Sequence, residues 1–161
     1  MRKVLFITGV LTCIYSLLWG KVMALKAPSG EWGRLEIPCI KVSLPIYLEV
    51  SEEKLQHGVV QITNTPLPGQ GINKHSLLAG HRGLPGKVLL THLDEVKEGE
   101  CFYIRNKEET LVYEVYHIQT VSPESLQHLT AEEGRELVSI ITCTPYGIYT
   151  NRLVVTGERI E

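Results

Sequence analysis

Three residues occupy positions where a β-rich chain can do chemistry: Cys143, Arg152 and His81. Cys143 closes a continuous apolar run, Leu137-Val138-Ser139-Ile140-Ile141-Thr142, which reads as a buried strand, and Thr144-Pro145-Tyr146-Gly147 then breaks it. A thiol at the mouth of a rigid strand is held by backbone yet open at one end, which suits a nucleophile. The competing reading is a buried, inert cysteine, a common fate of that residue type. Arg152 opens the next β-branched run, and eight residues rich in turn formers separate it from Cys143. An antiparallel hairpin would set the two opposite each other at its loop end. There a guanidinium favours the thiolate and donates to an oxyanion developing on a carbonyl. The competing reading is a solvated strand-end arginine.

His81 closes the apolar stretch Ser76-Leu77-Leu78-Ala79-Gly80 and opens a Gly/Pro loop, again at the end of a strand. A Cys–His pair is the minimum for thiol catalysis, with the imidazole acting as base and then as acid. The other histidines have plainer readings. His57 and His128 follow helical signals, His117 lies mid-strand among aromatics, and His92 sits in a polar stretch. His75 is six residues from His81 across one strand, so the two belong at opposite ends. The sequence has no CxxC, no HExxH and no acid-rich loop of the DxDxDG kind, so no metal is expected and no cofactor is called for.

The elements that must position this trio are strands. Eight β-branched runs separated by turn signals span residues 35–40, 45–50, 58–62, 75–80, 101–105, 110–121, 137–143 and 152–157. That number of strands predicts an all-β fold, a closed or nearly closed eight-stranded barrel with short helices. Ser51 followed by acids caps a short helix over 51–56, and further helical turns are expected within 89–96 and 129–137. Cys39 and Cys101 read as strand residues with a packing role. With Cys13 in the N-terminal apolar run, three cysteines remain in the body, so at least one thiol stays free.

The chain's 161 residues, 43% hydrophobic and 21% charged, fit one globular domain and exclude disorder. Residues 4–20 carry no charge and are flanked by Arg2, Lys3 and Lys21. This predicts a single transmembrane signal anchor over residues 1–21, N-terminus cytoplasmic and body outside, at the cell membrane. A cleaved signal is the alternative, since Val22-Met23-Ala24 offers small residues at a cleavage site. Residues 22–33 read as a tether and 34–161 as the catalytic barrel. Without the three flanking cations the chain has 13 basic against 18 acidic residues, an acidic body with no basic cluster, which excludes a nucleic-acid binder.

Read together, these residues resemble the sortases. The TLxTC signature of that family is matched by Ser139-Ile140-Ile141-Thr142-Cys143, with the Thr-Cys intact. Similarity to the class C, pilin-polymerising branch lies in several blocks. They are Ala79-Gly80-His81-Arg82-Gly83-Leu84-Pro85, Leu93-Asp94, Thr144-Pro145-Tyr146-Gly147, Arg152-Leu153-Val154-Val155 and the Ile37-Pro38…Pro45-Ile46-Tyr47 entry. The resemblance covers residues 33–160.

It implies a sortase barrel and a cysteine transpeptidase with His81, Cys143 and Arg152 at the catalytic positions. The enzyme would cleave an LPxTG-like sorting signal between Thr and Gly through a thioacyl-enzyme. It would then pass the acyl group to an amine, a pilin lysine in the pilus-assembling branch or a cell-wall cross-bridge amine in the housekeeping kind. The remaining alternatives are a thiol peptidase that hydrolyses the same intermediate and a non-catalytic, anchored β-barrel binding module. Class C lids carry an Asp-Pro-aromatic triplet, whereas segment 21–34 has Ala27-Pro28-Ser29, so an open site is expected. The sequence stops at Glu161 after Gly157-Glu158-Arg159-Ile160, where that branch often adds a membrane helix, so a natively single-pass or a truncated chain is expected. Tyr149 and Asn151 replace the more usual Asn and His near the arginine.

Overall fold

The computed structural model describes residues 29–160. Period-two alternation of side chains builds eight strands: β1 (Glu31–Ile37), β2 (Val42–Tyr47), β3 (Val59–Gln61), β4 (Lys74–Gly80), β5 (Cys101–Asn106), β6 (Thr110–Val121), β7 (Glu136–Thr144) and β8 (Asn151–Arg159). They close a barrel in the order β1-β2-β3-β4-β7-β8-β6-β5. Pairing is antiparallel except at β2/β3 and β4/β7, which run parallel. The expected all-β, eight-stranded barrel with short helices is therefore the fold. The expected membrane span, most of the tether and most of the segment 21–34 from which an open site is expected fall on residues 1–28, outside the described residues. Among the described residues no helix is long and apolar enough to cross a membrane.

β7 is buried on both faces, which is why it reads as a continuous apolar run. Val138 and Ile140 point into the main core with Leu153 and Val155 of β8, around the stacked rings of Phe102 and Tyr113, 5.3 Å apart. Ile141 points outward and packs with Leu77 and Val154 in a second, smaller cluster. Leu126 and Leu129 of the β6–β7 connection, with Ile62 and Val121, cover that cluster. Leu90, Leu93 and Val96, from the loop after β4, fill one end of the barrel core.

Several sequence expectations are corrected. The strand expected over 35–40 runs from Glu31 to Ile37, because Pro38 opens a 3₁₀ turn, Pro38–Ile40. Cys39 therefore lies exposed in that turn and packs in no strand, while Cys101 starts β5 half-buried. Residues 129–137 form no helix: Gly134 takes a left-handed φ of 78° and Glu136 already pairs with Lys74. The helical turn lies earlier, a 3₁₀ segment Pro123–His128. Within 89–96 only Leu93–Glu95 is helical, after Leu89 at a φ of 44°. The helix expected at 51–56 is present as α1 (Glu52–Leu55), with the Ser51 hydroxyl accepting from the Lys54 amide.

Candidate active site

Cys143 and Arg152 are direct cross-strand partners of β7 and β8, and Thr144 and Asn151 close the ladder one step beyond. The partners share a face of the sheet, and the alternation makes it the outer one, since Ile141 and Val154, two positions back, are the preceding pair on that face. β4 flanks β7 on the other side in parallel register, with Ala79 opposite Ile141. The Thr142 hydroxyl donates to the Gly80 carbonyl at 2.8 Å and carries that register one step further. His81 then follows, on the face that holds Leu77 and Ala79. Three strand ends thus bring His81, Cys143 and Arg152 to the rim of the small outer cluster.

The trio is partly accessible. The His81 imidazole is about one-third exposed, and its Nε2 lies 3.3 Å from the Glu52 carboxylate at the start of α1. Among the described residues it makes no hydrogen bond to Cys143, and such bonds in free enzymes tighten on substrate binding. Arg152 donates from Nη1 to the carbonyls of Asn151 at 3.0 Å and Tyr149 at 3.3 Å, so it braces the β7–β8 loop. That loop starts with a cis Thr144–Pro145 peptide and holds Tyr149 at a φ of 60°. Tyr146 and Tyr149 meet edge to face with ring centres 6.1 Å apart, and Tyr146 and Ile148 are exposed beside the site.

The other thiols stand apart. Partial burial, then the hydrogen bond and charge of Glu100, push the Cys39 thiol up to about 11. A cavity of about 460 Å³ lined by Trp32, Leu67, Pro68 and the Asn106–Glu109 turn lies where the chain enters the barrel, away from all three residues. Among the described residues no group of three or more His, Cys, Asp or Glu side chains could hold a metal ion.

Sequence reasoning gave no role to three residues that build this end of the barrel, nor to His75 near the far end of β4. Glu52 was readable only as a helix-capping acid. Arg82 and Asp94 stood inside quoted blocks without a role, yet they form a 2.7 Å ion pair. His75 lies buried beneath the outer cluster's cover, its Nε2 2.8 Å from the Ser139 hydroxyl and its Nδ1 2.8 Å from the Thr130 carbonyl. The Ser139 hydroxyl also meets that of Thr156 at 2.7 Å.

A family model described as "Sortase domain" matches residues 35–160. Sortase C2 of pilus island 1 from group B Streptococcus is 42% identical and superposes with a TM-score of 0.80, over 83% of this chain and 76% of its own. Sortase C-1 from Actinomyces oris is 44% identical with a TM-score of 0.77, over 80% and 73%. Sortase A of Bacillus anthracis is 26% identical over 128 residues, 80% of this chain and 59% of its own length. The chain spans 51–63% of the length of the curated relatives it matches first.

Proposed function

The chain belongs to the sortase family, and on that premise we propose that it is a membrane-anchored cysteine transpeptidase that polymerises pilins. Its substrate is an LPxTG-like sorting signal and its acceptor a pilin lysine. The Cys143 thiolate attacks the Thr carbonyl carbon, a C–S bond forms, and the carbonyl oxygen becomes an oxyanion. The Arg152 guanidinium donates to that oxyanion from the same sheet face. As the tetrahedral centre collapses, the bond to the Gly nitrogen breaks and His81 delivers its proton to the leaving amine. The lysine amine then attacks the thioester and gives a proton back to His81. A new amide forms and the thiolate returns.

The cross-strand pairing of Cys143 with Arg152, beside the parallel end that carries His81, supports this reading most. The solved relatives support the pilus-assembling acceptor, since one comes from a pilus island and both named above are sortases C. The uncharged run 4–20 with its basic flanks supports the anchor, with the barrel outside the membrane.

The test is mass spectrometry of the full chain in detergent after incubation with an LPxTG peptide, alone and with competing amines. A Cys143 thioacyl adduct resolved by a lysine-bearing pilin peptide in preference to a cross-bridge amine is expected. Preference for the cross-bridge amine makes the protein a housekeeping sortase, and resolution by water alone makes it a peptidase. A folded protein that forms no adduct refutes the transpeptidase reading for this signal.

A further inference from the structure

Arg82 is 5% exposed, a buried cation one residue from His81. Its planar fork reaches three segments. Nε donates to the Thr91 carbonyl at 2.8 Å, and Nη2 pairs with the Asp94 carboxylate at 2.7 Å. Nη1 lies 3.4 Å from the carbonyl of Cys143 itself and 3.4 Å from the Thr144 hydroxyl. One side chain thus joins the end of β4, the loop that fills the barrel core and the end of β7. The His81 carbonyl is held from the same loop, accepting from the Leu90 amide at 3.2 Å. Gly83 gives that loop its close approach, since a Cβ there would strike the Thr91 hydroxyl.

Arg82 is buried but Asp94 is exposed, so the pair adds little net stability, and apolar packing in place of the arginine would serve stability as well. What an arginine adds is direction: five N–H groups fixed in one plane, which a lysine ammonium does not reproduce. Here that direction runs from the residue beside His81 to the backbone of Cys143. We propose that Arg82, with its plane set by Asp94, is a positioning residue that fixes the separation of His81 and Cys143. The proposal rests on the transpeptidase reading for its effect on rate. The strut itself stands on the contacts of Arg82.

The test compares the full chain with Arg82→Lys and Asp94→Asn by two readouts. The first is the single-turnover rate of Cys143 acylation against sorting-peptide concentration. The second is the iodoacetamide alkylation rate of Cys143 relative to Cys39, which needs no peptide. A misplacement near 1 Å costs about 100-fold in rate, so a fall of about 10- to 100-fold in the saturating acylation rate is expected for Arg82→Lys, with KM nearly unchanged. Asp94→Asn should fall between parent and Arg82→Lys, and the alkylation ratio should drop in the same order.

A folded Arg82→Lys protein with parental rate and alkylation ratio overturns the proposal, and so does a loss confined to KM. If Arg82→Lys does not fold, Asp94→Asn decides by the same criteria. If the parent forms no adduct the transpeptidase reading fails, and the alkylation ratio still decides whether Arg82 sets the environment of Cys143.

Discussion

Cys143 and Arg152 stand directly opposite each other in adjacent antiparallel strands, on the outer face of the barrel wall. Cross-strand partners have Cβ atoms about 4.5–5.5 Å apart, so a long cationic side chain on one reaches past the thiol of the other. Arg152→Lys keeps the charge and loses the directed fork. By analogy with loss of one oxyanion donor, acylation should fall about 100- to 1,000-fold. Rapid-quench measurement of the acyl-enzyme checks this. Cys143→Ala should give no adduct at all.

Thiol labelling should separate the cysteines. Partial desolvation and the Glu100 carboxylate push the Cys39 thiol up to about 11, so although largely exposed it stays protonated and slow at neutral pH. Iodoacetamide at pH 7 should therefore modify Cys143 ahead of Cys39. The Cys39 rate should climb as pH approaches 11, and Glu100→Gln should bring that climb to lower pH. Peptide mapping after timed quenching measures both.

Acid should loosen the cover over the outer cluster. Burial lowers the His75 pKa below its ordinary value, while the Thr130 carbonyl and the Glu132 charge oppose this without overturning it. The unfolded chain then binds the proton more tightly than the folded one, so stability rises with pH across the interval between the two values. The contribution is complete above the unfolded value, about 6.5. It is lost as pH falls through the lower folded value. Thermal melts at stepped pH should show this loss in the parent and a smaller one in His75→Gln. Amide exchange of 129–135 should quicken with it.

Gly157 leaves room for the aromatic stack. A Cβ there would strike the Phe102 ring and come within 3.0 Å of the Tyr113 Cβ, both fully buried. Gly157→Ala should cost about 1–3 kcal/mol from overpacking. Denaturant titration checks it, and the near-ultraviolet dichroism of the two rings should change as well.

Glu136 organises the end of β7 farthest from the thiol. Its carboxylate accepts from the Gly69 and Gly71 amides and the Tyr113 hydroxyl, and pairs with Arg159 at 3.2 Å. Glu136→Gln puts an NH₂ group among donors, so a loss of about 3 kcal/mol is expected. Acylation per folded molecule should stay at the parental rate, because β7 itself separates the two ends. Equilibrium unfolding and active-site titration together decide this.

The strand runs and the Cys143–Arg152 hairpin were legible in the sequence because they are local. Runs of β-branched and apolar residues and a turn-rich gap define both, and the ladder sets the pair where the spacing puts it. His81 was legible as the end of a strand. Its place beside Cys143 was not, since it depends on a parallel pairing that no turn announces. The shortened helices have local causes: strand pairing took Glu136 and Leu137 into β7, and left-handed backbone at Leu89 and Gly134 interrupts the two segments expected to be helical. The contacts of Arg82 with Asp94 and of His75 with Ser139 were not legible, because a lone polar side chain leaves no periodic signal. Only those contacts distinguish such residues from surface charges.

The parallel alignment of β4 with β7 also bears on when the site comes into being. The Gly80–Thr142 bridge joins residues 62 apart in sequence, and all of β5 and β6 lies between them. The β7–β8 hairpin that pairs Cys143 with Arg152 is local by comparison, so it is expected to form before this long-range contact. A partly folded chain therefore holds the Cys143 thiol without His81 beside it. Barrel closure acts as the arming step: the nucleophile gains its partners only in a molecule whose wall is complete, and acyl-enzyme yield in a refolding time course reports that closure directly.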